Sequence, residues 1–199
     1  LYRDFGLTYV SGVVTGNSRT ALASKKGFGS KNVIQIADMV IYFNETDLNA
    51  DSYLGLYCEV LYDTDSMKGS FIEVQRNKND ILRITADKIY GYDSVERKVL
   101  YETENEKTKK QEIPKNIDII FNGTAAEGAI NDEMFTPDIG ELAFIDNDTD
   151  GIYDCLIIDS FSVYISAYTG AKVDDIISDK NAVQPNIITN SADQLVVYR

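Results

Sequence analysis

The 199-residue sequence contains no histidine. Histidine is the side chain that titrates nearest to neutral pH, and it is the most frequent general base and transition-metal ligand. Its absence removes the Ser-His and Cys-His pairs that activate nucleophiles. The SxxK, GxSxG and P-loop patterns are missing as well. We therefore predict that the protein is not an enzyme and has no catalytic residues.

Cysteine and long apolar runs are also scarce. The two cysteines, Cys58 and Cys155, are far apart in the sequence, lack CxxC spacing and lie in apolar segments. This pattern predicts buried free thiols rather than a disulfide or a zinc site. No segment approaches the ~20 apolar residues that span a bilayer. We therefore predict no insertion into a membrane.

Basic residues are few: the sequence has 19 of them against 32 acidic residues, and the net charge is −13. Such a chain repels the phosphate backbone, so we predict no nucleic-acid partner. The same charge attracts divalent cations, although an acidic balance is most often a solubility feature.

The apolar segments are rich in Tyr, Val, Ile, Phe and Thr, which favour strands. The segments Val33–Ile36 and Met39–Phe43 predict a hairpin, and alternation over residues 53–62 places Cys58, Val60 and Tyr62 on one face. We predict an all-β protein with two small barrel or sandwich units, tandem or intertwined. Residues 1–92 form the first unit and residues 93–199 the second. The charged run 102–112 is predicted as an exposed hairpin tip between strands at residues 99–101 and 117–121.

The most specific feature is the acidic segment DNDTDGIYD at residues 146–154. Carboxylates at loop positions 1, 3, 5 and 9 can converge on one ion, and glycine at position 6 permits the sharp turn. At position 7 we expect Ile152 to offer its carbonyl oxygen as a ligand while its side chain packs inward. The predicted metal-ligating residues are Asp146, Asp148, Asp150, Ile152 and Asp154.

The preferred ion is Ca²⁺ in a structural role, with a metal-free polar turn as the alternative. An EF-hand would need Glu at position 12, where this chain has Ile157, and would need flanking helices instead of strands. Four aspartates within nine residues repel one another, which favours a bound cation. We therefore expect the ion to clamp a β-hairpin.

The segment 140–158 (GELAFIDNDTDGIYDCLII) resembles a motif in β-domains of Gram-positive surface proteins that carry S-layer homology modules. It is also similar to related virion structural proteins of tailed bacteriophages, and the DxDxDGxxD spacing is shared with Ca²⁺ hairpins of integrin-type β-propellers. Residues 53–55 and 119–123 are similar to further elements of the surface and virion proteins. Thr149 stands where those sequences usually have glycine. The resemblance implies an extracellular or virion scaffold without known catalytic residues.

The leading hypothesis is a non-enzymatic structural protein of a bacteriophage virion, from the tail or another part of the particle. Its partners would be copies of itself or other structural proteins in an oligomer. One alternative is a bacterial cell-surface or S-layer-associated protein, so the expected location is the virion or the cell exterior. Another alternative is a carbohydrate-binding module, because tyrosine rings can stack on a glycan.

Overall fold

The computed structural model describes residues 6–30, 32–44, 49–127, 131–165, 186–189 and 194–198. These residues confirm the all-β prediction. The strands are β1 (Leu7–Asn17), β2 (Val33–Ile36), β3 (Met39–Phe43), β4 (Tyr57–Asp63), β5 (Lys68–Val74), β6 (Asp80–Thr85), β7 (Ile89–Asp93), β8 (Lys98–Glu102), β9 (Thr108–Glu112), β10 (Asp118–Phe121), β11 (Thr124–Ala125), β12 (Ile139–Asp146), β13 (Cys155–Ile165), β14 (Asn186–Thr189) and β15 (Gln194–Tyr198). Short 3-10 turns lie at Ala50–Tyr53, Arg76–Lys78, Ala86–Lys88 and Asp132–Phe135.

The first sheet, which we call the ring sheet, closes in the order β1-β2-β3-β5-β4. The closing contact is a short parallel pairing of β3 with β5. The predicted β2–β3 hairpin is confirmed, and its two-residue turn has positive φ at Ala37 and Asp38, as hairpins of this length prefer. Cys58, Val60 and Tyr62 pack into the core of the ring, which confirms the predicted face of β4.

The second sheet, the hairpin sheet, has the order β11-β10-β13-β12-β6, and β15 and β14 extend it from β13. The antiparallel β12–β13 pair forms the predicted hairpin around the acidic loop. β10 runs parallel to β13. It ends in the turn at Asn122 and Gly123, which both have positive φ.

The third sheet is β7-β8-β9. An exposed hairpin tip is present as predicted, but its second strand is β9, which lies within the charged run itself. The expectation that residues 117–121 would flank this tip was wrong, because those residues pair with β13. A charged segment can form β9 because it is an edge strand, where lysines remain solvated and discourage pairing with other chains.

One core cluster combines loop residues from before position 92 with strand residues of the hairpin sheet from after it. Leu22 and Leu54 pack there with Ile120, Ile145 and Cys155. Strand β6, at residues 80–85, also pairs with β12 along its length. Buried contacts and strand pairing therefore cross position 92, and the division into units 1–92 and 93–199 stays a prediction. Residues 166–185 of the second unit lie outside the described part.

Candidate metal centre

The acidic loop connects β12 to β13 at the end of the hairpin sheet. The last antiparallel pair is Ile145 with Cys155, and the backbone N–H of Asp154 donates to the carbonyl of Ile145 at 2.8 Å. Between these points the backbone turns through positive φ at Thr149 (65°) and Gly151 (87°). Glycine adopts this conformation at little cost, and Thr149 adopts it with its hydroxyl donating to the Asp148 carbonyl. The turn folds the acidic side chains back towards the strand ends.

Three carboxylates meet in the loop. One oxygen each from Asp146, Asp148 and Asp154 lies within 4.8 Å of the others. Asp146 is buried, whereas Asp148 and Asp154 are exposed. This group could hold a metal ion, with one ligand held inside the fold and two open to the solvent.

Backbone N–H groups of the loop surround the Asp146 carboxylate. Its Oδ1 accepts from Asp148 at 3.2 Å and from Thr149, and its Oδ2 accepts from Gly151 at 2.8 Å. Burial alone would raise the pKa of Asp146, but these hydrogen bonds outweigh it and leave the pKa below its ordinary value. The loop is therefore organised around an ionised Asp146.

For Asp148, the effects that raise the pKa exceed the one that lowers it. A hydrogen bond from the Asp150 backbone lowers the pKa of Asp148, but desolvation and repulsion from Asp150, Asp154 and Asp146 outweigh it, and the pKa is raised. The carboxylates crowd one another as predicted from their spacing. A cation among them would remove this repulsion.

Asp150 and Ile152 lie differently from the other predicted ligands. Asp150 is not in the group of three convergent aspartates, and its Oδ1 accepts from the Ile152 backbone at 2.7 Å. The expectation that the Ile152 side chain packs inward was wrong, because it is 59% exposed. Tyr153 packs inward instead, with its ring 5.4 Å from that of Phe144. A carbonyl ligand from Ile152 stays a prediction.

The residues that anchor the loop to the rest of the fold were not predicted from the sequence. The side-chain amide of Asn147 is buried and donates to Oδ1 of Asn79 at 2.8 Å and to the Gly55 carbonyl at 3.3 Å. The Asn147 backbone N–H donates to Oδ2 of Asp154 at 2.8 Å. Asn147 was visible within the acidic motif. Asn79 had only the signature of a turn residue, since sequence does not reveal that a turn is buried.

Comparison with protein-family models, curated proteins and solved structures finds no match to this chain. The resemblance of segment 140–158 to surface and virion β-domains therefore stays a prediction. In the described part of the chain, no helix has both the length and the apolar character needed to cross a bilayer.

Proposed function

We propose that the acidic loop binds Ca²⁺ and that the protein is a non-enzymatic structural component of a multi-subunit assembly. The observation that carries the proposal is the convergence of Asp146, Asp148 and Asp154 at the end of the β12–β13 hairpin. In this role the ion clamps the hairpin and makes it rigid. A tail or other part of a bacteriophage particle is the leading assembly, and a bacterial surface layer is the alternative.

The donor set favours Ca²⁺ among common metal ions. All three converging ligands are carboxylate oxygens, which suit a hard cation. Ca²⁺ binds oxygens at about 2.3–2.6 Å, so two ligands on opposite sides of the ion lie about 5 Å apart. The 4.8 Å spread of the three aspartate oxygens fits within that diameter. Mg²⁺ is smaller and demands stricter octahedral geometry, which an exposed pair of aspartates imposes less readily.

The charge distribution supports a cation at the same place. Asp146 is held ionised by backbone donors, and repulsion raises the pKa of the neighbouring Asp148. A divalent ion would convert this repulsion into attraction and would favour the ionised form of all three carboxylates. Ion affinity would therefore fall as Asp148 takes up a proton.

The assembly role is supported by the resemblance of residues 140–158 to virion and surface β-domains. The fold adds support, because the described strands form three sheets and buried contacts cross position 92. The absence of histidine is in keeping with a structural role, because it removes the side chain most often used as a general base.

The cation site is tested by thermal unfolding of the protein with CaCl₂ and with EGTA. An ion that binds only the native state raises the melting temperature as its concentration increases. The rise should be lost in Asp148→Asn and Asp154→Asn. Asp87→Asn removes one exposed carboxylate far along the chain from the loop and should keep the full response. Equal Ca²⁺ responses in all four proteins would refute the site.

The assembly role has a separate test. Sedimentation velocity and electron microscopy should show oligomers or ordered particles at micromolar concentrations, and only monomers at high concentration would contradict the proposal. The genes beside this one distinguish the two assemblies. Capsid and tail genes support a virion protein, whereas cell-wall export genes support a surface protein.

A carbohydrate-binding role is the second candidate, because aromatic rings line the outer face of the ring sheet. Tyr9 and Phe71 lie directly across from Leu61 on either side, and their side chains are 47% and 52% exposed. Residues opposite one another in antiparallel strands share a face, so the three form one apolar row. A glycan array with Tyr9→Ala and Phe71→Ala tests this role, with exposed Tyr90→Ala in the third sheet as the control. Glycan binding that survives both substitutions, or no binding at all, counts against it.

A further inference from the structure

Two buried asparagine side chains connect the acidic loop to the ring sheet. Asn79 and Asn147 are 8% and 6% exposed, and the Asn147 amide donates to Oδ1 of Asn79 at 2.8 Å. Such groups cost free energy when buried unless their hydrogen bonds are made. The side-chain nitrogens of both asparagines donate two hydrogen bonds each. The pair is therefore a buried polar contact in which both side-chain nitrogens are hydrogen-bonded.

From Asn79 the hydrogen bonds lead to the first residue of β4. Oδ1 of Asn79 accepts from the Tyr57 backbone at 2.8 Å, and Nδ2 donates to the Tyr57 and Gln75 carbonyls. Asn79 thus takes the place of a strand partner at this end of the ring sheet. If Asn147 moved, Asn79 would lose one partner and the start of β4 would be held less firmly.

From Asn147 a second route leads to β1. The Gly55 carbonyl accepts from the Asn147 side chain. The Gly55 backbone N–H donates to the Val14 carbonyl at 2.9 Å. Val14 in turn donates to the Leu56 carbonyl at 2.9 Å. Both routes lead back to Asn147, whose backbone N–H donates to the Asp154 carboxylate in the loop.

We propose that the Asn79–Asn147 pair couples the acidic loop to the ring sheet, so that order in the loop stabilises the beginning of β4. Binding of Ca²⁺ in the loop, which rests on the proposed function, would then also stabilise the beginning of β4 in the ring sheet. The ion would fix Asp154, Asp154 would fix the Asn147 backbone, and the Asn147 side chain would hold Asn79 and Gly55. The pair is a positioning device that lies outside the carboxylate group itself.

Hydrogen exchange measured by NMR tests the coupling without any ion. In EGTA, Asn147→Ala should speed exchange of the Tyr57 and Gly55 amides by about tenfold, the effect of losing one buried hydrogen bond. Amides of β8, in the third sheet, should be unchanged. Asn131→Ala is the matched control, since among the described residues the Asn131 side chain bonds to nearby Glu133 on the exposed surface. Should Asn147→Ala not fold, Asn147→Ser is measured in the same way. Wild-type exchange at Tyr57 and Gly55 in the Asn147 variant overturns the proposal.

Adding CaCl₂ separates this proposal from the metal site. In the wild type, Ca²⁺ should slow exchange of both Gly151 in the loop and Tyr57 in β4. In Asn147→Ala the slowing should remain at Gly151 and disappear at Tyr57. Slowing at Gly151 without slowing at Tyr57 in the wild type overturns the coupling of ion and sheet. If neither amide responds, the Ca²⁺ site fails, and the ion-free comparison alone decides whether the asparagine pair couples the two elements.

Discussion

The side-chain amide of Asn147 lies 2.8 Å from Oδ1 of Asn79, which is 68 residues earlier in the chain. Oδ1 of Asn79 also accepts from the backbone N–H of Tyr57, the first residue of β4, so Asn79 connects the loop with the convergent carboxylates to a strand of another sheet. Because both asparagines are buried, the bond between them is protected from competition with water.

The Asn79–Asn147 pair should be energetically coupled. Replacing Asn147 with alanine leaves buried acceptors on Asn79 and Gly55 with fewer donors, at a cost of about 1–3 kcal/mol. Each single variant and the double variant Asn79→Ala/Asn147→Ala are unfolded in urea. The double variant should lose about 1 kcal/mol less than the sum of the two single losses. Strict additivity would show that the two side chains act independently.

The sign of the Asp148→Asn effect should depend on Ca²⁺. Without metal, the substitution removes repulsion from neighbouring carboxylates, so it should stabilise the fold near neutral pH. With Ca²⁺ present, it removes a ligand and should destabilise. Urea unfolding in EGTA and in CaCl₂ measures both cases, with Asp87→Asn as the unaffected control. The same sign of effect in the two media would contradict a cation at this carboxylate.

The pH dependence without metal should differ between two loop aspartates. The pKa of Asp146 is depressed in the folded state, so its stabilisation is present above its unfolded pKa and is lost as pH falls through its folded value. The pKa of Asp148 is raised, so its contribution is favourable below its unfolded pKa and is lost as pH rises through its folded value. Urea unfolding of Asp146→Asn should therefore show a loss near pH 7 that shrinks in acid. The stability that Asp148→Asn gains near neutral pH should also become smaller in acid. A wild-type-like pH profile for Asp146→Asn would argue against this assignment.

Gly55 should tolerate no side chain, for reasons of space as well as conformation. Its φ is +84°, and an added Cβ would lie 2.8 Å from the Cys155 sulfur and 2.9 Å from Cδ1 of Ile120. Gly55→Ala should cost about 3 kcal/mol from backbone strain together with overpacking. Gly29 has a similar φ of +73° but open space around it, so Gly29→Ala should cost only the strain, about 1 kcal/mol. Equal losses in urea unfolding would show that the close packing against Cys155 is unimportant.

Both thiols should be inert while the protein is folded. Cys58 and Cys155 are free and buried, and burial raises the pKa of Cys58 to about 12 and that of Cys155 well above its usual range. Because the thiolate is the reactive form, a chromogenic disulfide reagent at pH 8 should label neither residue in the native state. Both should react at once in strong urea. Labelling of one thiol within the mixing time under native conditions would show a local opening that the fold does not predict.

Local features of the fold were predictable from the sequence. The β2–β3 hairpin and the acidic hairpin of β12 and β13 depend on neighbouring residues, and their turn signals lie within a few positions of the strands. The long-range pairings were not predictable. The parallel contact of β10 with β13 and the contact of β6 with β12 depend on which apolar faces match in the folded chain. The prediction for residues 117–121 was wrong because an apolar alternation indicates a strand but does not indicate which strand it pairs with.

The sequence by itself determined the all-β class, the free thiols and the acidic turn, because composition, alternation and turn chemistry act over short distances. The tertiary structure decided which carboxylates converge and what holds them. It brought Asp146, Asp148 and Asp154 together while leaving Asp150 outside that group. It turned Ile152 outward and buried Asn147 against Asn79. Burial and partnership depend on the packing of distant segments, and no local pattern of residues encodes them.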